Sequence, residues 1–277
     1  MKKNFLAFLC LLMMQQAAAQ SLQLKWSTDT LLRIPESVLL DSKAGVLYVS
    51  NIDGKSGEKD GKGFISKLST DGKILSLEWS YGLDAPKGMG LYKNRLYVAD
   101  LTRVAVIDLA TGKMTTSIAI DGAQFLNDIT VDSKGTVYVS DSSTGKIHVI
   151  KNDKAEVYFG SPEFKRINGL LAIHDGLYVA DAGNGKNYKL SEDKKLTPYT
   201  ETAVGADGIV QVSKNEYIVS SWSGEVYFVD ASAKATKMLD TKEQKLNSAD
   251  IGYDERTKTV FIPTFNGNRV MAYTFSK

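Results

Sequence analysis

The sequence predicts an all-β protein, a six-bladed β-propeller with four antiparallel strands in each blade. An N-terminal strand is expected to close the ring by completing the last blade. Three observations predict this fold. The chain repeats with a period of about 40 residues. Each repeat holds short strand-like runs separated by turn residues. The last repeat lacks one strand, which the N-terminus can supply.

The repeat is defined by two strand-like runs, as in "LNDITVDSKGTVYVSD" (126–141) and "INGLLAIHDGLYVAD" (167–181). The first run begins near a polar residue and the second ends on one. The six first runs start at Glu36, Lys87, Asn127, Asn168, Asp207 and Ala249. The six second runs end at Asn51, Asp100, Asp141, Asp181, Ser221 and Thr264. We call these two sets the inner ring and the second ring.

Each repeat continues with further runs, such as "GKIHVIK" (145–151) and "AEVYFGS" (155–161). They are rich in Val, Ile and Tyr and are separated by Gly, Asp and Asn, which is typical of strands joined by hairpins. The sixth repeat ends at Lys277 after three runs. We expect "LQLKWSTDTLL" (22–32) to be its fourth strand, because this pairing removes an exposed sheet edge. A β-sandwich explains neither the period nor the incomplete repeat.

Residues 1–19 have the features of a signal peptide. Lys2 and Lys3 precede an apolar run, and Ala17 to Ala19 offer a cleavage site. The apolar run is about ten residues, too short to span a bilayer as a helix. We therefore expect an exported protein, periplasmic or secreted, with the propeller over 20–277 and no membrane segment in the mature form. An uncleaved anchor is the alternative.

Cleavage would remove Cys10, the only cysteine, and with it disulfides, thiolate chemistry and Cys-type zinc sites. Loss of Lys2 and Lys3 takes the formal charge from +2 to 0. Acidic and basic residues are interspersed, so no basic patch is expected and nucleic acid is excluded as a partner. A small-molecule substrate is the expected partner, and a protein or glycan ligand is possible.

Both rings are expected on one face of the disc, because the first strand of a propeller blade lines the channel and the second runs back. Crowded acids repel one another unless they are protonated, hydrogen-bonded or bridged by a cation. Glu36, Asn168 and Asp207 are therefore candidate ligands for a divalent cation, with Ca²⁺ the first choice. Two alternatives stay open. The second ring can be simple turn chemistry, and Lys87 can pair with Glu36 without any metal.

The chain resembles the calcium-dependent propellers of the gluconolactonase, regucalcin (senescence marker protein) and strictosidine-synthase-like group over 30–277. The resemblance is carried by "PES" (35–37), "LND" (126–128), "NGL" (168–170), "LYVAD" (177–181) and "ADGI" (206–209). It implies hydrolysis of a lactone or similar cyclic ester. It also implies that Glu36, Asn168 and Asp207 hold the metal and that Asn127 faces the substrate or a metal-bound water.

From these observations we expect Asp207, as general base, and Asn127 to be catalytic. Lys87, Asp141, Asp181 and Arg166 are expected to bind substrate. Phe125 stands where sugar-lactone hydrolases of the group often have Arg, which favours a less polar ligand. The segment "DAGN" (181–184) is also similar to NHL-repeat propellers, so a non-catalytic propeller binding a carbohydrate, peptide or protein is the second hypothesis.

Two further expectations concern the surroundings of this face. The insertion "NIDGKSGEKDGKG" (51–63) should lie over the channel mouth. Trp26, Trp79 and Trp222 should pack between blades, where large aromatic side chains are commonly buried.

Overall fold

Six four-stranded antiparallel sheets form the blades of a β-propeller in the computed structural model, which describes residues 20–277. The innermost strands contact one another in sequence around the ring, and the last contacts the first. The predicted fold class is confirmed. The predicted signal peptide (1–19) lies outside the described residues. Within 20–277, no helix is long and apolar enough to cross a membrane.

The strands of each blade are given in order from the channel outwards. Blade one comprises β2 (Pro35–Asp41), β3 (Val46–Asn51), β4 (Gly63–Ser69) and β5 (Ile74–Leu83). Blade two comprises β6 (Pro86–Tyr92), β7 (Arg95–Asp100), β8 (Arg103–Asp108) and β9 (Met114–Ala119). Blade three comprises β10 (Leu126–Val131), β11 (Val137–Asp141), β12 (Lys146–Lys151) and β13 (Lys154–Gly160).

The other three blades follow the same order. Blade four comprises β14 (Ile167–Ile173), β15 (Gly176–Asp181), β16 (Lys186–Ser191) and β17 (Leu196–Glu201). Blade five comprises β18 (Ala206–Ser213), β19 (Glu216–Ser221), β20 (Glu225–Val229) and β21 (Ala235–Asp240). Blade six comprises β22 (Gly252–Asp254), β23 (Thr259–Pro263), β24 (Val270–Ser276) and β1 (Ser21–Ser27).

Strand β1 closes the ring as predicted. It pairs antiparallel with β24, with Ser21 opposite Ser276 and Ser27 opposite Met271. This pairing gives hydrogen-bond partners to the backbone N–H and C=O groups along the outer edge of β24. The closure is also apolar, since Trp26 on β1 packs against Phe261 with ring centroids 5.9 Å apart.

Blade six is joined to blade one at the channel as well. The Asp250 amide donates to the Glu36 carbonyl at 3.0 Å, and the Val38 amide donates to the Asp250 carbonyl at 3.2 Å. Asp250 thus forms an isolated bridge to β2, while the neighbouring Ala249 amide still donates to Pro263 of β23. Strand β22 is shorter than the other innermost strands.

The apolar core lies between neighbouring blades. The cluster between blades one and two includes Tyr48, Ile65, Leu96 and Val98, each at most 1% exposed. Burial of such a side chain stabilises the fold by about 1.5–3 kcal/mol relative to leaving it in water. Trp79 packs here against Tyr48 at 4.8 Å, as predicted.

A β-bulge recurs at the start of the innermost strand. In blade three, Leu126 pairs with Asp141 and Ile129 pairs with Val139, so β10 carries one extra residue. Blades two, four and five have the same register shift at the same repeat position. Bulges re-aim side chains locally and often do so next to functional sites. Here the extra residue falls at the inner-ring position.

Candidate functional site

A cavity of about 430 Å³ opens at the channel mouth, a size suited to a small molecule. Five of the six inner-ring side chains line it, and the sixth, Ala249, does not. The polar lining from the inner ring consists of Glu36, Lys87, Asn127, Asn168 and Asp207. Arg166, from the linker before blade four, also reaches this cavity.

Three buried oxygen atoms of this lining have no hydrogen-bond partner: Glu36 Oε2, Asn168 Oδ1 and Asp207 Oδ1. Their residues are each at most 7% exposed. A buried acceptor left unpaired costs about 1–3 kcal/mol. Carboxylate and amide oxygens are the donors that a hard divalent cation prefers. The three unpaired atoms belong to the residues expected to hold a metal, so the donor set fits one.

The set contains two carboxylates and one amide. Within 20–277, no group of three or more His, Cys, Asp and Glu side chains is placed to hold a metal ion. A cation here would need the Asn168 amide and further ligands such as water to complete its shell.

The electrostatics of the cavity are set by burial. Burial raises the pKa of Glu36 to about 8, with Lys87 lowering it and Asp250 raising it. Burial also raises the pKa of Asp207 well above its usual range, and the charges of Glu36 and Asp250 raise it further. When no cation is bound, protonation of Glu36 and Asp207 therefore offsets the negative charge of their carboxyl groups. Metal binding would therefore displace protons and be pH-dependent.

Lys87 is 2% exposed and lies under the mouth. Its Nζ donates to the carbonyls of Ala85 at 2.9 Å and Ser56 at 3.0 Å, and lies 4.7 Å from the ring centre of Phe125. Among the ion pairs within 4.0 Å that the described chain makes, none joins Lys87 to Glu36. Lys87 therefore acts on Glu36 through its charge, which lowers the pKa of Glu36, and not through a direct ion pair. Backbone carbonyls take up two of the three ammonium donors, which leaves one for a ligand.

Asn127 is fixed by a short relay. Its Nδ2 donates to Ser142 Oγ at 3.0 Å, and Ser142 Oγ donates to the Ile167 carbonyl of the next blade. The amide orientation is therefore set before any ligand binds, and Oδ1 takes no part in this bond.

The second ring has a structural role. The carboxylate of Asp141 accepts four backbone N–H groups, and that of Asp181 accepts three. Both residues are 0% exposed and neither lines the cavity. The expectation that Asp141 and Asp181 bind substrate is therefore corrected. They hold the linkers that carry Phe125 and Arg166 to the mouth.

Two buried acids one residue beyond the inner ring, Asp128 and Asp250, have roles that the sequence pattern did not indicate. They line a second cavity of about 460 Å³ at the other end of the channel. Asp128 accepts from the Leu170 and Ile129 amides, and Ser37 Oγ donates to Asp250. Burial raises the pKa of Asp250 to about 7. The available signal was that three other blades carry glycine at this repeat position, at Gly88, Gly169 and Gly208, and blade one carries Ser37.

Apolar side chains form one side of the mouth. Trp222 is 44% exposed and meets Phe265 edge-on at 5.6 Å, and Val204 beside them is 63% exposed. The expectation that Trp222 packs between blades is therefore wrong. Its place directly after the second-ring residue Ser221 was the signal in the sequence.

The insertion in blade one lies at the mouth as expected, since Ile52 and Ser56 line the cavity. Neither histidine lines it. His148 is 1% exposed within blade three, its Nε2 4.0 Å from Asp141 Oδ2, and burial lowers its pKa. His174 lines a separate cavity of about 300 Å³.

Comparison with solved structures finds proteins that share this ring of blades. A streptogramin B lyase superposes with a TM-score of 0.67 at 13% identity, over 93% of this chain and 98% of that chain. The likeness is one of fold. A catalytically inactive virginiamycin B lyase from Staphylococcus aureus with quinupristin gives 0.66 at 15% identity, over 92% and 99%. A protein of unknown function from Bacteroides thetaiotaomicron gives 0.70 at 12% identity, over 93% and 76%.

No protein-family model matches the chain, and no curated protein matches it. The propeller fold is thus shared with proteins that are only 12–15% identical to this chain. A common fold of this kind does not determine a common activity.

Proposed function

We propose that this protein is a metal-dependent hydrolase of a lactone or similar cyclic ester, with Ca²⁺ as the favoured cation. One observation carries the proposal: the unpaired oxygens of Glu36, Asn168 and Asp207 line one small-molecule-sized cavity. When bound there, a divalent cation would polarise the ester carbonyl as a Lewis acid.

The chain's own residues would act around that carbonyl. Asp207 would take a proton from the water that attacks the carbonyl carbon, and would return it to the ring oxygen as the acyl C–O bond of the ring breaks. The remaining N–H of Lys87 would donate to the oxygen that gains negative charge, an interaction that strengthens in the transition state. Asn127, whose amide Ser142 holds in place, would position the water or the ester.

Lyase activity of the kind named for the structural neighbours is not carried over. In the complex with quinupristin, the inactive virginiamycin B lyase is a histidine-to-alanine variant. In this chain neither histidine lines the cavity at the mouth. A histidine-dependent reaction there has no residue to perform it.

A second candidate is a non-catalytic propeller that binds a carbohydrate, peptide or partner protein on the same face. The buried ammonium of Lys87 favours it, because its charge lowers the pKa of Glu36 and offsets part of the negative charge without a metal. Under this hypothesis the protein has a ligand and no turnover.

The test measures hydrolysis of a lactone panel and calcium binding by calorimetry, for the wild type, Asp207→Asn and Asp175→Asn. Asp175 is an exposed acid in the turn between β14 and β15 and serves as the matched control. We expect turnover that a chelator abolishes and Ca²⁺ restores, with both binding and turnover lost only in Asp207→Asn. Calcium binding without turnover would favour the second candidate. If neither calcium binding nor turnover is observed, the proposal of a metal-dependent enzyme is rejected.

A further inference from the structure

The mouth of the cavity holds an aromatic side chain in a fixed and solvent-exposed position. Trp222 is held through its backbone, since its N–H donates to the Gly205 carbonyl at 2.8 Å and its carbonyl accepts from Asn247 Nδ2 at 2.9 Å. Phe265 supports its ring from the side at an interplanar angle of 74°. A tryptophan anchored in this way and still 44% exposed presents apolar surface that a ligand can cover.

Phe265 is held at the mouth despite an unfavourable backbone. Its φ is 46°, in the left-handed region that non-glycine residues rarely adopt. Such a conformation costs about 1–3 kcal/mol and persists only where the surroundings impose it. Here Phe265 packs against the apolar cluster of Ile52, Ala85 and Leu101, which Phe125 also contacts. The structure thus maintains an apolar wall at the entrance.

This wall offers little to substrate hydroxyl groups. Its cavity-lining members Ile52, Phe125, Val204, Trp222 and Phe265 have no side-chain acceptor, and the unpaired oxygens lie among the inner-ring residues instead. A sugar hydroxyl pressed against the wall would lose its bonds to water, at about 1–3 kcal/mol for each unpaired group. An aromatic or alkyl group would instead gain about 25 cal/mol per Å² buried.

Two cations line the same cavity. Arg166 is exposed, and none of the ion pairs formed within 20–277 includes its guanidinium. Lys87 retains one free N–H beyond its two bonds to backbone carbonyls. A guanidinium with no protein partner is suited to bidentate binding of a carboxylate or similar anion.

We infer that the substrate is amphiphilic, with an anionic group bound by Arg166 and attracted by the positive charge of Lys87, and an aromatic or alkyl body lying on Trp222 and Phe265. This inference rests on the proposed function for the reacting ester, and it names the substrate class of that site. It distinguishes an apolar-substituted acidic lactone from a polyhydroxylated sugar lactone.

The binding experiment uses 8-anilinonaphthalene-1-sulfonate, an aromatic anion, followed by its fluorescence. Trp222→Ala removes the aromatic surface and Arg166→Gln removes the charge. Tyr81→Ala is the matched control, because Tyr81 is 75% exposed on β5 and does not line the cavity. We expect each cavity variant to weaken binding about tenfold, the effect of about 1.4 kcal/mol. The control should bind as the wild type does.

Competition separates the two substrate classes. 4-Phenylbutyrate should displace the dye and gluconate should not, at equal concentrations and with unchanged melting temperatures. Displacement by gluconate alone, or unaltered dye binding in both Trp222→Ala and Arg166→Gln, would overturn the inference.

Turnover distinguishes failure of this inference from failure of the proposed function. Hydrolysis of a sugar lactone in preference to an aryl-substituted acidic lactone, unaffected by Trp222→Ala, would refute the substrate class and leave the hydrolase intact. Dye binding that depends on Trp222 and Arg166, without hydrolysis of any lactone, would refute the hydrolase and leave the amphiphilic ligand class standing.

Discussion

The carboxylate of Asp128 fills the space that a side chain at Gly88 would need. A Cβ atom at residue 88 would lie 2.3 Å from Asp128 Oδ1 and 2.5 Å from its Cα. Blade three thus places its acid against the glycine of blade two, and Asp250 is similarly close to Gly208 of blade five. This fit between adjacent blades keeps the buried acids at fixed positions in the channel.

Gly88→Ala is expected to destabilise the protein by about 1–3 kcal/mol, the range for overpacking a filled interior. The backbone of blade three cannot move away without disturbing its ladder. Urea denaturation measures the change, and Gly57→Ala is the control, because a Cβ at residue 57 meets nothing within 4 Å. The control should lie within about 0.5 kcal/mol of wild type. Equal effects in the two variants would contradict the packing argument.

Asp141→Ala is expected to cost about 3 kcal/mol or more, because backbone N–H groups that Asp141 satisfies lose their acceptor. Denaturant unfolding measures the loss. Since Asp141 does not line the cavity, calcium affinity of the remaining folded protein should be unchanged. A variant with normal stability and weakened ligand binding would restore the role in substrate binding that the sequence suggested.

Asp207→Asn is expected to lose calcium binding and to keep its stability, the opposite of Asp141→Ala. Burial disfavours the ionised form of Asp207 and leaves its Oδ1 unpaired, so an isosteric neutral amide should not destabilise the metal-free protein. At pH 8 in a chelator, its melting temperature should equal or exceed that of wild type. Added Ca²⁺ should raise the melting temperature of wild type only. A calcium response that survives in Asp207→Asn would remove this residue from the ligand set.

The stability of the metal-free protein should fall as pH rises from 5 to 8. Glu36 has an ordinary pKa of 4.5 raised to about 8, and Asp250 one of 3.8 raised to about 7. Between the ordinary and the raised pKa of each group, the folded state binds more protons than the unfolded state. The stability is therefore greatest below the ordinary pKa and is lost as pH rises through the raised one. For one such carboxyl group, each pKa unit by which folding raises its pKa contributes at most about 1.4 kcal/mol to the stability.

Differential scanning calorimetry in a chelator measures this pH effect. We expect Tm to fall by about 5 °C from pH 5 to pH 8, since about 1 kcal/mol shifts Tm by 2–4 °C in a chain of this size. Asp250→Asn should flatten the profile. A Tm that rises over the same interval would show that these groups are ionised in the folded state.

Removal of residues 20–27 is expected to open the propeller at blade six. Strand β24 would lose its partner, and the contact of Trp26 with Phe261 would be lost with it. An unpaired strand edge promotes self-association. Size-exclusion chromatography should show oligomers or aggregates. Trp26→Ala keeps the strand and removes only the packing, so it should elute as the wild type does, with a lower Tm.

Much of the fold could be predicted because the repeat is local. Period, turn residues and the unpaired strand at 22–32 all reflect short-range preferences for strands and hairpins, copied six times. The inner-ring position could be predicted for the same reason, since each of its residues starts an equivalent strand. Even the division of blade six between the two ends of the chain follows from counting strands.

The sequence could not assign roles within the rings. Asp141 and Asp207 are both acids at strand ends, yet one is fully bonded to backbone amides and the other has an oxygen without a partner. Their positions at the start of a first strand and the end of a second strand left both turn chemistry and ligand binding open for Asp141. Trp222 follows the second-ring residue Ser221, but its exposure beside Phe265 of blade six depends on packing between blades.

The sequence by itself determined the six-fold repeat, the closure of the ring by its first strand and the polar character of the channel mouth. The repeat follows from short-range preferences for strands and turns, and the closure and the polar mouth follow from arranging six equivalent repeats in a ring. Only the tertiary structure decided which buried oxygens remain unpaired, which acids serve the backbone and which aromatic side chains face solvent. Those outcomes depend on hydrogen bonds and packing between blades that are distant in sequence, and on the bulges that re-aim their side chains.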